Sequence, residues 1–570
     1  MTRPQHLHQS RAFRAARNHS LLVNILRVML PTFTIITFGL YFISSGISVS
    51  VGPGEASIKS IALSGDSIRM ERPSYTGFDE SNGKYVVSAD YALQNIKEPN
   101  VFNLFQIKAQ SQTTADEWIE MLAKEGTFHA KEEWLELKNG IDIANNSGMK
   151  ARLKTAYVNM ENRKITSQDP VHVDMPNGNM RADTMEINTA TQHFIFQNNV
   201  FVHLENSDDT TTADHSNTPA QQGLSSALQN SSRAPIDVTS KRLELLNKKQ
   251  IAFFKGSVVA TQGDMQMQSD NLEINYKSNS QEGTNTQSNE PNQSRQIAKI
   301  QAISNVVITT ADGRKAVADI TIFDNENKLV TLDKNVRVSQ DKNIISGDKL
   351  IVDLNKRHSR FPPGPSLVKG QFHPPENSAS TAKPSSSKTQ NLSPPNTFSG
   401  FSYTNSNGPI FVESKSLDIY ELKKTAIFRG NVNVKRNNNV LKSQFMSLHY
   451  TSSGPLGGGG ENTQQNGQIE KIVAQRDVFI SAPDNQTISG DTATFLLSKD
   501  KAIVKGNVVV TQGENIIKGD QLHLNLKTGE YRLHDNNETV VNTSSSSSET
   551  EPKQRVRLMF TPKKRENNKP

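Results

Sequence analysis

Short runs in which apolar and polar residues alternate recur along most of the chain. YVVSADYAL (85–93), NVVIT (305–309), NVRVSQ (335–340), KLIVDL (349–354) and QLHLNL (521–526) each repeat with a period of two, and Asn, Asp and Gly bound them. Successive side chains on a strand point to opposite faces, so this alternation predicts half-buried strands. Turns are expected at Asn139-Gly140, Asn177-Gly178, Asp312-Gly313, Gly347-Asp348 and Gly519-Asp520. One segment reads differently. DEWIEMLAKEG (116–126) places Trp118, Met121 and Leu122 on one side of a helix, and predicts one. Its neighbour KEEWLELKNG (131–140) fits helix or strand.

The chain opens on another pattern. Residues 21–43, LLVNILRVMLPTFTIITFGLYFI, form a continuous apolar stretch. As a helix at ~1.5 Å per residue it spans ~34 Å, enough for a ~30 Å hydrocarbon core. Asn24 and Arg27 lie near its start, where a long side chain snorkels to the interface. Arg3, Arg11, Arg14 and Arg17 precede it, and no basic residue follows until Lys59. The positive-inside rule places residues 1–20 in the cytoplasm and the rest outside it. The competing reading is a cleaved signal peptide. Its apolar core would be shorter, and the exit SSGISVSVG only weakly resembles a cleavage site, so an uncleaved anchor is expected.

Composition divides the remainder. Residues 206–234 are rich in Ser, Thr, Asn, Gln and Asp, and 361–408 hold eight prolines and many serines, so both read as linkers. Polar insertions at 277–296 and 451–468 lengthen loops. Three folded pieces remain, 44–205, 235–360 and 409–545, followed by a basic tail at 546–570. The formal charge is +7 over 570 residues. Residues 1–54 carry +5 and the tail +4, which leaves −2 for 55–545. A nucleic-acid binder concentrates its basic residues on a folded domain, so that class is set aside. The tail reads either as a solvated end or as an attraction to anionic lipid. The chain has no cysteine, which excludes disulfides and thiolate chemistry. It also lacks H-E-x-x-H, G-x-x-x-x-G-K-[ST] and G-x-S-x-G arrangements, so neither an enzyme nor a cofactor is expected.

The second and third pieces repeat each other. IDVTSKRLELLNKKQIAFFKGSVVA from Ile236 falls without a gap on IFVESKSLDIYELKKTAIFRGNVNV from Ile410, a shift of 174. Beyond the insertions the shift is 172, pairing Val306 with Val478, Val336 with Val508, Gly347-Asp348 with Gly519-Asp520 and Leu354 with Leu526. Each repeat is one unit of short strands that stacks on its neighbour.

The ordered set P-I-x-[IV], then G-N-V-x-[VA]-T-Q-G, then I-x-G-D stands twice. It is PIDV (235–238), AFFKGSVVATQG (252–263) and NIISGDKLIVDL (343–354), then PIFV (409–412), AIFRGNVNV (426–434) and GNVVVTQGENIIKGDQLHLNL (506–526). These repeats resemble the LptA/OstA-like family of lipopolysaccharide-transport proteins. Ser257 replaces the motif Asn in the first, and Lys435-Arg436-Asn437 replaces T-Q-G in the second. Residues 1–205 resemble LptC, through the apolar segment, YVVSADYALQN (85–95) and the stretch 137–204. The resemblance implies a mainly β fold: a transmembrane helix, then incomplete, open, V-shaped β-jellyroll units stacked edge to edge. It implies a non-catalytic carrier anchored in the bacterial inner membrane. Such a carrier takes lipopolysaccharide from an ABC transporter and passes it along a periplasmic apolar groove. Whether separate LptA-like and outer-membrane translocon proteins are partners stays open.

The family's opening strand lines that groove, which assigns Ile236, Val238, Ile410 and Val412 to it by resemblance. Val336, Val338, Val508 and Val510 occupy equivalent alternating strands of the two repeats and are the further candidates. Two alternatives stay open. All eight residues fit an ordinary packed core, and the chain fits a membrane-tethered β-solenoid spacer without lipid cargo.

Overall fold

A computed structural model describes residues 49–51, 54–64, 66–78, 84–112, 118–205, 234–277, 296–373, 408–450, 469–483, 485–534 and 557–559. Two compact units form. The first holds the described residues through Glu205, with Pro235–Val258 and Glu273–Ile297; the second holds Val259–Leu272 and the described residues from Ala298 onward. The division falls within the first repeat.

The first unit is an antiparallel ladder that runs as two arms. Val101–Gln112, Trp118–His129 and Trp134–Asn145 are long strands that pass through both arms. Beyond them the arms separate. Lys150–Leu153, Val171–Met175 and Gly178–Ala182 continue one. Ala156–Asn159, Lys164–Ser167 and Thr184–Asn188 continue the other. They rejoin on His193–Leu204, which pairs along its length with Ile236–Leu246.

The second unit repeats this plan. Residues 299–309 pair with Arg314–Asp324, then Leu329–Gln340, then Asn343–Asp353. The arms then part. His358–Phe361 leads to Ser416–Tyr420, and Val368–Phe372 leads to Ile410–Ser414. Both meet again on Thr425–Arg436. A meander follows through Asn439–Tyr450, Ile469–Ala482, Gln486–Leu496, Lys501–Gln512 and Asn515–Asn525. Tyr531–His534 closes one arm and Arg557–Met559 the other. The second repeat thus occupies eight successive strand positions, counting each arm pair once.

Several expectations change. The helix predicted over 116–126 is the strand Trp118–His129, and KEEWLELKNG resolves as the strand Trp134–Asn145. Long-range ladder bonds on both edges override the local spacing, and Trp118 and Leu122, the supposed buried face, are 42% and 46% exposed. Asn139-Gly140, Gly347-Asp348 and Gly519-Asp520 lie inside strands and not in the hairpins between them. Strand structure continues through Phe372, into the Pro/Ser-rich stretch, and Arg557–Met559 of the basic tail is a strand. Among the described residues there is no α-helix, and no helix is long and apolar enough to cross a membrane. The anchor expected at 21–43 lies outside the described residues.

Candidate functional site

The mid-strand irregularities form one repeated device. Asn198-Asn199, Gly256-Ser257, Ser304-Asn305, Lys334-Asn335, Gly430-Asn431, Arg476-Asp477 and Gly506-Asn507 each have two consecutive positive φ values, and so does Asn139-Gly140. The ladder register shifts at Asn139-Gly140, Asn198-Asn199, Ser304-Asn305, Lys334-Asn335, Gly430-Asn431, Arg476-Asp477 and Gly506-Asn507, as a bulge requires. Non-glycine residues disfavour this conformation, and Asn tolerates it best because its amide bonds locally. Asn335 Nδ2 donates to Asp319 Oδ2 at 2.8 Å, Asn305 to Asp270 at 2.8 Å, and Asn199 to Asp183 at 2.7 Å. The acids stand on the alternate strands, next to a small residue: Ala182-Asp183, Ser269-Asp270, Ala318-Asp319. The acids of the alternate strands thus serve the bend, while the I-x-G-D glycines Gly347 and Gly519 face Val336 and Val508 just past it and Asp348 accepts from the Ser366 amide.

Two residues at the bend stand opposite one on the partner strand, so the bulged strand keeps its inward parity across it while the partner switches, from Leu350 to Ile345. Val330 and Leu332 before the corner, and Val336 and Val338 after it, are all buried; Ala502 and Val504, then Val508 and Val510, do the same in the second repeat. The residue just past each of these corners is fully buried. Val200, Val258, Val306, Val336, Val432, Val478 and Val508 are none of them more than 2% exposed.

Of the eight candidate lining residues, Val238, Val336, Val338, Val412, Val508 and Val510 point inward and are at most 3% exposed, while Ile236 and Ile410 are half-buried. Ile236 and Val238 belong to the first unit and the other six to the second. Val338 lies between Ala316 and Ile345, and Val510 between Ile488 and Ile517. Val336 and Val508 face Gly347 and Gly519. Those glycines make room for the closing strand: a Cβ at 347 would stand 2.9 Å from Phe361 Cδ1, and one at 519 would stand 2.8 Å from Leu533 Cγ.

The two joints carry acids that sequence reasoning missed, Glu244 half-buried and Asp418 buried. At the first, Glu244 receives Arg242 Nε at 2.6 Å and Lys255 Nζ at 3.0 Å, with His193 Nε2 at 3.9 Å. Burial disfavours the Glu244 charge, but the bonds from Lys255 and Arg242 outweigh it and hold the carboxyl below its usual range. At the second, Asp418 receives His358 Nε2 at 3.0 Å, with Arg360 Nε at 3.6 Å and Arg429 in contact. The shift of 174 superposes Glu244 on Asp418 and Lys255 on Arg429, so a search for charge sign rather than identity would have found them. Farther along, burial pulls the Arg314 guanidinium down against Asp312 and Glu421, and burial with Glu421 pushes the Tyr450 phenol up.

A separate open hollow of about 700 Å³ lies over the corner row of the first unit, among His172, Arg181, Asp183, Asn199, Phe201 and Lys241. Pro170, Val171, Ala182 and Val200 also line it. Among the described residues no three His, Asp or Glu side chains are grouped to hold a metal ion.

Residues 38–205 match the family described as "Lipopolysaccharide-assembly, LptC-related". Residues 237–358, 411–530 and 487–556 match "LptA/(LptD N-terminal domain) LPS transport protein". The chain is LptC-like, with LptA/OstA-like repeats. An uncharacterized protein of Rhizobium meliloti (strain 1021) is 33% identical over 126 residues, 22% of this LptC-like chain and 64% of that protein. The match therefore spans a little under two thirds of that relative's length. A crystal structure of LptH, the LptA-homologous periplasmic component of the lipopolysaccharide transport device of Pseudomonas aeruginosa, aligns at 16% identity. It covers 27% of this chain and 96% of that one, with a TM-score of 0.21.

Proposed function

We propose that this chain is a non-catalytic lipopolysaccharide bridge. Residues 21–43 anchor it in the bacterial inner membrane, with the N-terminus cytoplasmic and the bulk periplasmic. It takes lipopolysaccharide from an ABC transporter and conducts it along the inward strips of its LptC-like and LptA-like parts toward an outer-membrane translocon. The observation that carries this reading is continuity. In the second unit both arms pass from repeat to repeat through unbroken ladders, and Phe361, Val368, Val412 and Leu417 carry large apolar side chains across the joint, with the small Ser359 and Ser414 buried among them. Shielding an acyl chain gains ~0.8 kcal/mol per CH₂, so a strip whose large inward side chains at the joint are apolar suits that cargo. Described ladder bonds run strand to strand along the arms. Parting the arms to admit a chain therefore exchanges side-chain contacts for lipid contacts and spares the ladder.

The burial of six candidate valines favours a second reading, the lipid-free spacer. Photo-reactive residues at Val338 and Val510 separate the two. The bridge predicts crosslinks to lipopolysaccharide in cells from both, and none from the outward neighbours Arg337 and Val509. Absence of crosslinks from every inward position, in a chain that is folded and in the membrane, establishes the spacer.

A further inference from the structure

The outer face of the first unit carries a hollow that the inward strip does not use. Arg181 stands between the buried Met180 and Ala182, Phe201 between Val200 and Val202, and Thr239 between Val238 and Ser240, so all three point away from the interior. Ladder pairing sets them side by side, Arg181 opposite Phe201 and Phe201 opposite Thr239. Two corners shape the hollow. Asn198-Asn199 and Gly256-Ser257 bend their strands, and Asn199 and Ser257 both line it. Lys241 joins them with its stem against Gly256, where a Cβ would stand 3.1 Å from Lys241 Cβ and Cδ. The space, about 700 Å³, falls within the ~300–1,000 Å³ of small-molecule sites.

The charges on this face do not cancel. His172 and Arg152 both reach Asp174, at 2.9 Å each, so that acid is taken. The Arg181 guanidinium lies over the Phe201 ring, 4.5 Å from its centroid, and neither Arg181 nor Lys241 has an acid partner among the described residues. Stacking on an aromatic face leaves the fork of N–H donors for a carboxylate or phosphate. Among the described lining residues Asp183 is the only acid. Asn199 Nδ2 donates to one of its oxygens at 2.7 Å, which leaves the other to accept from a hydroxyl. Thr239 and Ser257 add hydroxyls, and Pro170 and the Phe201 ring add carbon. Two cations without acids select an anion. An acid and hydroxyls beside them select a ligand that also donates hydrogen bonds, as a sugar does. A bare inorganic anion would gain nothing from Asp183 and would be repelled by it.

We propose that this hollow is a binding site for an acidic saccharide, with its phosphate or carboxylate held by Arg181 and Lys241 and its hydroxyls by Asp183, Thr239 and Ser257. The site lies across the sheet from Val200, Val202 and Val238, so its occupancy does not depend on lipid in the interior. The claim therefore stands apart from the bridge reading. Two sources carry this chemistry, the sugar head group of a lipopolysaccharide molecule and a soluble acidic saccharide.

The test uses the full-length protein in a detergent that contains neither sugar nor phosphate. Equilibrium dialysis with radiolabelled glucose 6-phosphate should show saturable binding. Glucose and inorganic phosphate should compete at least about 10-fold more weakly, because each satisfies half of the lining. Arg181→Gln and Lys241→Gln, both at exposed positions, should each weaken binding about 3- to 10-fold. Lys249→Gln, at an exposed position of the same unit outside the hollow, should leave it unchanged. Asp183→Asn keeps an acceptor for Asn199 and should narrow the preference for glucose 6-phosphate over inorganic phosphate. Displacement of the probe by fully deacylated lipopolysaccharide assigns the site to the head group, and binding of the probe without such displacement assigns it to a soluble saccharide. Absence of saturable binding overturns the site, as does binding indifferent to both cation variants. Inorganic phosphate that competes as well as glucose 6-phosphate overturns the saccharide, and a preference unmoved by Asp183→Asn overturns the role of that acid. Lipopolysaccharide crosslinking from Val338 and Val510 should not respond to Arg181→Gln, so the two claims fail separately.

Discussion

Asn335 illustrates what a single corner residue does. It holds a left-handed φ of 53° and donates to Asp319. Asn335→Ala loses the bond and incurs the left-handed penalty, about 2 kcal/mol together. Asn335→Gly keeps the conformational freedom, and Asp319→Ala removes only the acceptor, so each should cost about 1 kcal/mol. Urea denaturation of the three variants should show alanine at 335 as the most damaging; equal losses would remove the conformational part of the account. Gly347 is constrained differently, by the Phe361 ring. Gly347→Ala should destabilise by about 1–3 kcal/mol through overpacking, and Phe361→Leu in the same chain should recover part of it. At this scale the sequence was only half legible. The inward valines follow from alternation alone. The corner letters were visible as motifs, yet Gly-Asp and Asn-Gly also mark hairpins, and nothing in the letters separates a bend inside a strand from a turn between two.

Among elements, the period-two runs became strands as read, because that pattern has few other physical solutions. Trp118–His129 did not announce itself. Its local spacing suits a helix, and the strand exists because Val101–Gln112 and Trp134–Asn145 offer ladder partners on either side. The opening strands carry the joint acids, and one of them titrates in an informative range. Glu244 is held below its ordinary 4.5 in the fold. A depressed carboxyl stabilises when ionised, so its contribution is complete above the unfolded value and is lost as pH falls through the folded one. The stability gap between the wild type and Glu244→Gln, measured in urea at pH 6, should narrow as the pH is taken below the ordinary 4.5 and the carboxylate protonates in the fold. A gap independent of pH would mean that shape, not charge, holds that joint.

For the whole molecule, the repeats and their order were legible before any coordinates, since two successive shifts, 174 and then 172, carry the match from Ile236 to Leu354 and leave little room for another plan. The joint chemistry was not, because Glu244 and Asp418 share a charge and not a letter. The proposed anchor makes a prediction here. A chain lacking residues 1–44 and given a cleavable export signal should leave the membrane fraction and sediment as a free periplasmic protein. If it stays in the membrane fraction, the tether lies elsewhere. The eight strand positions of the second repeat carry a last consequence. Neighbouring strands are ~4.8 Å apart, so one repeat advances the ladder by about 38 Å. A protein built this way measures distance in whole repeats, as a ruler with one coarse division. Fine adjustment to the width of an envelope has to come from its partners, and a variant lacking one repeat falls short by that full step however well its interior holds lipid.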